Sequence, residues 1–237
     1  MKNIIFKSND VLIVFRIGKT SNKKIALPTE NIVQTYSFSQ EQYEIAKGKT
    51  DMKTFFSADG SVCMDCPFAV SNGAKLSACY THKMMQYSGF LSMLRGIHKT
   101  YADWDSIPTL SEEIVSKLVD VCANKYVRFG TYGEPSLIDV NLVSAIVSVS
   151  KSHTGYTHQW AKKKEYAPFF MASVHNAFGE AMAKKLGFRS FVASKQVDSN
   201  FISCPASNEM GFKSNCSKCG LCSGLRKGNK SVIILEH

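Results

Sequence analysis

The sequence predicts an α/β protein: a (β/α) barrel or part-barrel with mostly parallel strands, a β-rich N-terminal extension and a cysteine-rich, metal-binding loop region. Three observations predict it. From Tyr126 to Ile234 short β-branched and aromatic runs alternate with helical stretches, the pattern of βαβ units in a parallel sheet. Between Thr81 and Cys122 apolar residues recur at three and four, the spacing of one helical face. Seven of the eight cysteines fall in two clusters, Cys63–Cys79 and Cys204–Cys222.

In order along the chain, Ile4–Phe6 and Val11–Ile17 read as strands joined through Ser8-Asn9-Asp10, which is hairpin chemistry. Residues 20–24 are a polar turn, Lys24–Leu27 a further short strand, and Ser39 opens a helix that Gly48 ends. Residues 49–78 are irregular. A long helix from Thr81 presents Met84, Tyr87, Phe90, Leu91, Leu94 and Ile97 on one face. Thr109 with Glu112 suggests a capping box for the next helix, whose stripe Ile114, Val115, Leu118, Val119, Cys122 makes Cys122 a core residue. There follow strands at Tyr126–Gly130, Thr154–His158, Pro168–Val174, Phe188–Ala193, Phe201–Ser203 and Val232–Ile234, with helices at Val140–Val149 and Asn176–Leu186. The chain, 1–237, reads as one α/β domain, with 1–48 as the extension and 204–222 as the metal loop.

No run approaches the ~18 consecutive apolar residues of a membrane span, and the N-terminus lacks the pattern of a signal peptide, so a cytoplasmic protein is expected. Leu235-Glu236-His237 resembles the start of an expression tag. With 29 basic and 19 acidic residues the chain carries +10, which fits a polyanionic partner, nucleic acid above all, or a lysine-rich solvated surface. No P-loop, GxGxxG, HExxH or GxSxG occurs, which argues against the common NTPases, dinucleotide enzymes, zincins and serine hydrolases.

Cys204-x11-Cys216-x2-Cys219-x2-Cys222 is the strongest chemical signal. Four loop-borne thiols in nineteen residues suit one tetrahedral zinc, or alternatively an iron–sulfur cluster. Lys213, Lys218 and Arg226 stand nearby in sequence to favour thiolates. Cys63, Cys66 and Cys79 with His82 form a second possible zinc ligand set, or the three cysteines alone the open set of an iron–sulfur cluster, the competing reading being loop and helix-start thiols. Arg128-Phe-Gly-Thr-Tyr132-Gly133-Glu134-Pro135 runs off the C-terminal end of a predicted strand, where ligands gather in parallel α/β folds; Glu134 is either aimed into a site or solvated. His153-Thr-Gly-Tyr156-Thr-His158-Gln159-Trp160 ends the next strand the same way, offering hydrogen bonding and stacking to a base. The histidines are otherwise core residues, and their HxxxxH spacing on a strand sends them to opposite faces.

Taken together, Arg-x-Gly-x-x-Gly-Glu after a strand, the Tyr-Thr strand that follows, and the late Cys-Pro…Cys-x2-Cys-x2-Cys cluster resemble DpdA-like phage and plasmid DNA guanine transglycosylases, distant relatives of tRNA-guanine transglycosylases. The resemblance covers residues 60–234. It lacks the tRNA enzymes' CxCxxC…His zinc pattern and their paired catalytic aspartates. It implies exchange of guanine for a 7-deazaguanine through a covalent glycosyl-enzyme intermediate. Glu134 is then the catalytic carboxylate, with Arg128 and His158 as catalytic partners. Tyr132, Gly133, Tyr156, Gln159 and Trp160 bind the extruded base, and DNA rather than RNA is the expected substrate. The rival expectation is a non-enzymatic zinc or iron–sulfur protein that binds nucleic acid in phage or plasmid replication or transcription.

Overall fold

In the computed structural model, residues 2–196, 198–208, 211, 213–224 and 230–235 are described. Arg226, Glu236 and His237 lie outside them. The chain begins with three antiparallel strands, β1 (Lys2–Ser8), β2 (Val11–Gly18) and β3 (Ile32–Ser39). Short helices α1 (Gln40–Ile45), α2 (Met52–Ser57) and α3 (Gly60–Cys63) precede the longer α4 (Met84–His98) and α5 (Glu112–Cys122). Then come β4 (Tyr126–Tyr132), α6 (Val140–Val149), β5 (Ser152–Thr154), β6 (Tyr156–Thr157) and β7 (Met171–Val174). The chain continues with α7 (Ala177–Lys185), β8 (Ser190–Ser194), β9 (Ile202–Ser203), α8 (Cys216–Cys219) and β10 (Val232–Leu235).

The strands form two five-stranded sheets, ordered β1-β2-β3-β4-β5 and β6-β7-β8-β10-β9. All pairings after β2·β3 are parallel. The mixed α/β class and the dominance of parallel pairing match expectation; among the described residues the sheets do not close into a barrel. One residue, Gly155, separates the two sheets along the chain. A Cβ there would lie 2.4 Å from the Phe170 ring, so the crossing is close-packed and needs glycine.

Residues 1–48 are not an appended extension. β3 pairs in parallel with β4 in register Val33↔Val127 and Gln34↔Arg128, so the N-terminal strands make up three of the first sheet's five. The sequence reading places nothing at Ile32–Ser39, although its aromatic and β-branched content is strand-like. The expected strand at Lys24–Leu27 is instead a turn, closed by Ile25 N–H on the Asn22 carbonyl (2.9 Å) and by the Asn22 side chain on Lys24 N–H (3.1 Å). Ser39 caps α1 with a reciprocal Gln42 bond, as a capping box. The cap of α5 is Ser111, accepting from Ile114 N–H, two residues after the expected Thr109.

The main core lies on the first sheet, where Phe38, Phe55, Phe56, Phe90 and Tyr132 interlock and Cys122 is fully buried as expected. On the second sheet the period-2 alternation separates two layers. Ala172, Val174, Val192 and Ile233 pack with Ala183 of α7, while Met171, Val232 and Phe191, their strand neighbours, face Cys204, Cys222 and Cys216. One face of this sheet is thus covered by a helix and the other by the cysteine segment. No helix among the described residues is long and apolar enough to cross a membrane.

Candidate functional site

Two strand ends build the site. β4 runs out through Gly130 and Gly133, both left-handed at φ 66° and 77°, and delivers Glu134. A Cβ on Gly133 would lie 2.7 Å from Ser37 Cβ and 3.0 Å from the Ser37 carbonyl oxygen. Gly133→Ala therefore combines a left-handed penalty with a backbone clash, and is expected to cost about 2–4 kcal/mol in a urea melt. A midpoint equal to wild type would refute that reading.

Glu134 is buried and its oxygens are fully engaged. Oε2 accepts from His158 N–H at 3.0 Å and Oε1 from Ser136 N–H at 3.1 Å, with the Thr157 hydroxyl adding to the set. Its own N–H donates to the Val62 carbonyl at 2.7 Å, just before Cys63. Burial raises its pKa, and the hydrogen bonds only partly offset this. The carboxylate ties the loop after β4 to the end of β6, and the Glu134 backbone N–H ties it to α3; the side chain is buried, not solvated.

His158 follows β6 directly. Its Nε2 stands 3.9 Å from Cys66 Sγ and 3.4 Å from Nε2 of His175, the residue that follows β7. Phe68 meets both rings edge-on, with centroids 6.4 Å and 4.8 Å away. Burial, then the neighbouring His175, push the His158 pKa down to about 4, so the ring is neutral. His153, at the other end of the HxxxxH run, is a core residue with Nε2 against the Phe169 and Ser223 carbonyls at 2.9 and 2.8 Å.

The structure moves the proposed base-binding residues apart. Tyr132 is core: α2 and α4 cover its end of the sheet, Phe90 lies 4.7 Å away ring to ring, and its hydroxyl accepts from Gln42 Nε2 at 2.6 Å. It cannot stack a base. Gln159 is buried, its amide nitrogen donating to Asp65 at 3.0 Å, and Asp65 also pairs with Lys162. Trp160 donates to the Ser173 carbonyl at 3.2 Å and packs on the α7 side of the second sheet. Tyr156 lies on the opposite face, its ring 4.4 Å from Phe191 and its hydroxyl bonded to Cys222. Arg128 sits in a row of register partners, Arg16, Gln34, Arg128 and Thr154, and its guanidinium donates to the exposed Tyr80 hydroxyl at 3.4 Å.

Cys204, Cys216, Cys219 and Cys222 are all free thiols and lie within electrostatic reach of one another. Cys216 and Cys219 share the single turn of α8, capped by Asn215 and closed by left-handed Gly220. Arg128 and Lys24 act on Cys216, and Lys24 on Cys204 as well. Burial outweighs them and raises Cys204 and Cys216, and Cys222 up to about 12. Cys63, Cys66 and Cys79 also lie within electrostatic reach of each other, with Asp59 and Glu134 beside them; burial raises all three, Cys66 to about 12. Cys79 is not at a helix start, because α4 begins at Met84, so no helix dipole favours its thiolate. Its sulfur instead contacts the Thr81 hydroxyl at 3.0 Å. His82 is buried 4.0 Å ring to ring from Phe56, with neither ring nitrogen hydrogen-bonded.

Among the described residues no group of three or more His, Cys, Asp or Glu side chains is placed to hold a metal ion. The donor chemistry nonetheless suits a metal in the 204–222 segment. It covers a sheet face with little apolar mass, and buried thiols without a cation stay protonated. Residue reading missed His175, which the strand-end logic that singled out His158 also picks out, and Asp59, a buried carboxylate accepting from Val70 and Ser71 N–H. Comparison with protein-family models, curated proteins and solved structures found no match to this chain.

Proposed function

We propose that this chain is a nucleic-acid base-modifying transferase working at the rim formed by the C-terminal ends of β4, β6 and β7. The observation that carries the reading is the bond that the His158 backbone N–H, at the end of β6, donates to Glu134 Oε2, at the end of β4, at 3.0 Å. In parallel α/β folds this rim is where ligands and reacting groups collect. The net charge of +10 supports a polyanionic substrate, with DNA favoured over RNA by the resemblance drawn from the motifs.

The reaction is base exchange. A carboxylate forms a bond to the sugar C1′ as the C1′–N9 bond to guanine breaks, the leaving base taking a proton, and a 7-deazaguanine then displaces the carboxylate. Glu134 is the carboxylate at this rim, and His158, tied to it through its backbone N–H, brings an imidazole to the same rim as the proton carrier. The zinc or iron–sulfur group that Cys204, Cys216, Cys219 and Cys222 would hold supplies structural closure of the segment. Tyr156, on the second sheet, bonds Cys222, and Arg128, on the first, faces Cys216.

One observation favours a second reading, a metal-holding nucleic-acid-binding module: every oxygen of Glu134 is already occupied by a structural donor. Incubation of the chain with DNA or RNA and labelled guanine or a deazaguanine decides between them. Incorporation of label by wild type, abolished in Glu134→Gln, is the expected result. Tight nucleic-acid binding without incorporation would replace the transferase with the binding module.

A further inference from the structure

We propose that His158, His175 and Cys66 form a three-ligand site for one divalent transition-metal ion of zinc-like preference, with a fourth position left open. The proposal goes beyond the function argued above and stands on geometry alone, whether or not the chain modifies nucleic acid. The two histidines are the first residues after neighbouring strands that pair in parallel, in register Tyr156↔Met171 and Thr157↔Ala172. Both therefore leave the sheet at the same rim.

Their Nε2 atoms face each other at 3.4 Å, with the ring planes 20° apart and the centroids 5.6 Å apart. That is long for a hydrogen bond from one imidazole to another. It matches the separation of about 3.3–3.4 Å that two imidazoles take on one tetrahedral ion with Zn–N bonds of about 2.0–2.1 Å. A thiolate on the same ion, with a Zn–S bond of about 2.3 Å, would lie about 3.6 Å from each nitrogen. Cys66 Sγ stands 3.9 Å from His158 Nε2, a few tenths of an ångström outside that distance, so the three do not hold an ion as placed and Cys66 has to move to complete the set.

The surroundings hold the ligands in place. His158 is anchored through its backbone N–H to Glu134 Oε2, and Phe68 packs its edge toward both rings, making an apolar wall on one side. Nitrogen and sulfur donors of this kind select zinc and its neighbours over magnesium or calcium. Three protein ligands with an open position are the pattern of sites that bind water or substrate, in contrast to the closed four-cysteine set. This assigns Cys66 to the two strand-end histidines rather than to His82, which lies against Phe56.

The test is metal content of the purified full chain, reconstituted with zinc, comparing wild type with His175→Ala by elemental analysis. The variant is expected to hold one ion per chain fewer while melting as a folded protein. Equal metal content in a folded variant would overturn the site. Should His175→Ala not fold, crystals of wild type grown with zinc give the same answer: an anomalous-difference peak between the two Nε2 atoms supports the site, and none there overturns it. Neither readout involves base exchange, so failure here is distinct from failure of the transferase reading.

Discussion

Glu134→Ala is expected to lower the melting midpoint by roughly 5–15 °C, corresponding to about 2–5 kcal/mol. The carboxylate accepts from His158 N–H and Ser136 N–H, at 3.0 and 3.1 Å, inside a buried loop junction. Truncation leaves those donors without their partner in a site too enclosed for ready hydration, and each such orphan costs about 1–3 kcal/mol. Glu134→Gln keeps one accepting oxygen and the shape, and is expected to lose roughly half as much. Thermal melts of the three proteins check this, and an alanine variant melting with wild type would show the bonds to be idle. The pair also separates two roles. A glutamine variant that stays folded but loses base exchange marks the carboxylate as chemical, whereas parallel loss of both marks it as a structural tie.

A second large effect is expected at Cys219. Its thiol is half-buried and belongs to none of the apolar clusters, so serine there changes little packing. If the four cysteines hold a structural metal, Cys219→Ser loses that ion and with it several kcal/mol. Zinc binding in small four-ligand peptides contributes about 10–16 kcal/mol to folding. The destabilisation should fall on the second sheet, because the segment covers the face formed by Met171, Phe191 and Val232. Hydrogen exchange in β7, β8 and β10 should accelerate while β1–β3 remain protected. Metal analysis together with exchange mass spectrometry checks it. Unchanged metal content with unchanged protection would remove the structural metal from the account.

Much of the second half was legible because its signals are local. Helices α6 and α7 and strands β4, β7, β8 and β10 follow from periodicity and from caps such as Asp139 and Asn176. Strand β3 carries a comparable β-branched and aromatic signal at Ile32–Ser39. The start of α4 was less legible: Lys83 caps it without a side-chain bond, so nothing in the sequence marks Met84 over Thr81. Within the site, His158 was found from its place after a strand, and His175 occupies the equivalent place one strand on. Tyr132 was misread because alternation assigns a side chain to a face without saying what covers that face. Phe56 and Phe90, from helices distant in sequence, cover this one.

The sequence by itself determined the class of the fold, its parallel pairing, the positive charge and the two groups of thiols. Each of these is a property of neighbouring residues or of composition, so each survives without knowledge of long-range contacts. The tertiary structure alone decided that β1–β3 belong to the main sheet and that the late cysteines line a sheet face opposite α7. It alone buried Glu134 under donors from β6 and set His158 against His175. Those outcomes depend on which strand ends lie side by side and on what covers each face. Strand order and layer packing fix both, and they are decided by the sum of burial across the whole chain rather than by any local run of residues.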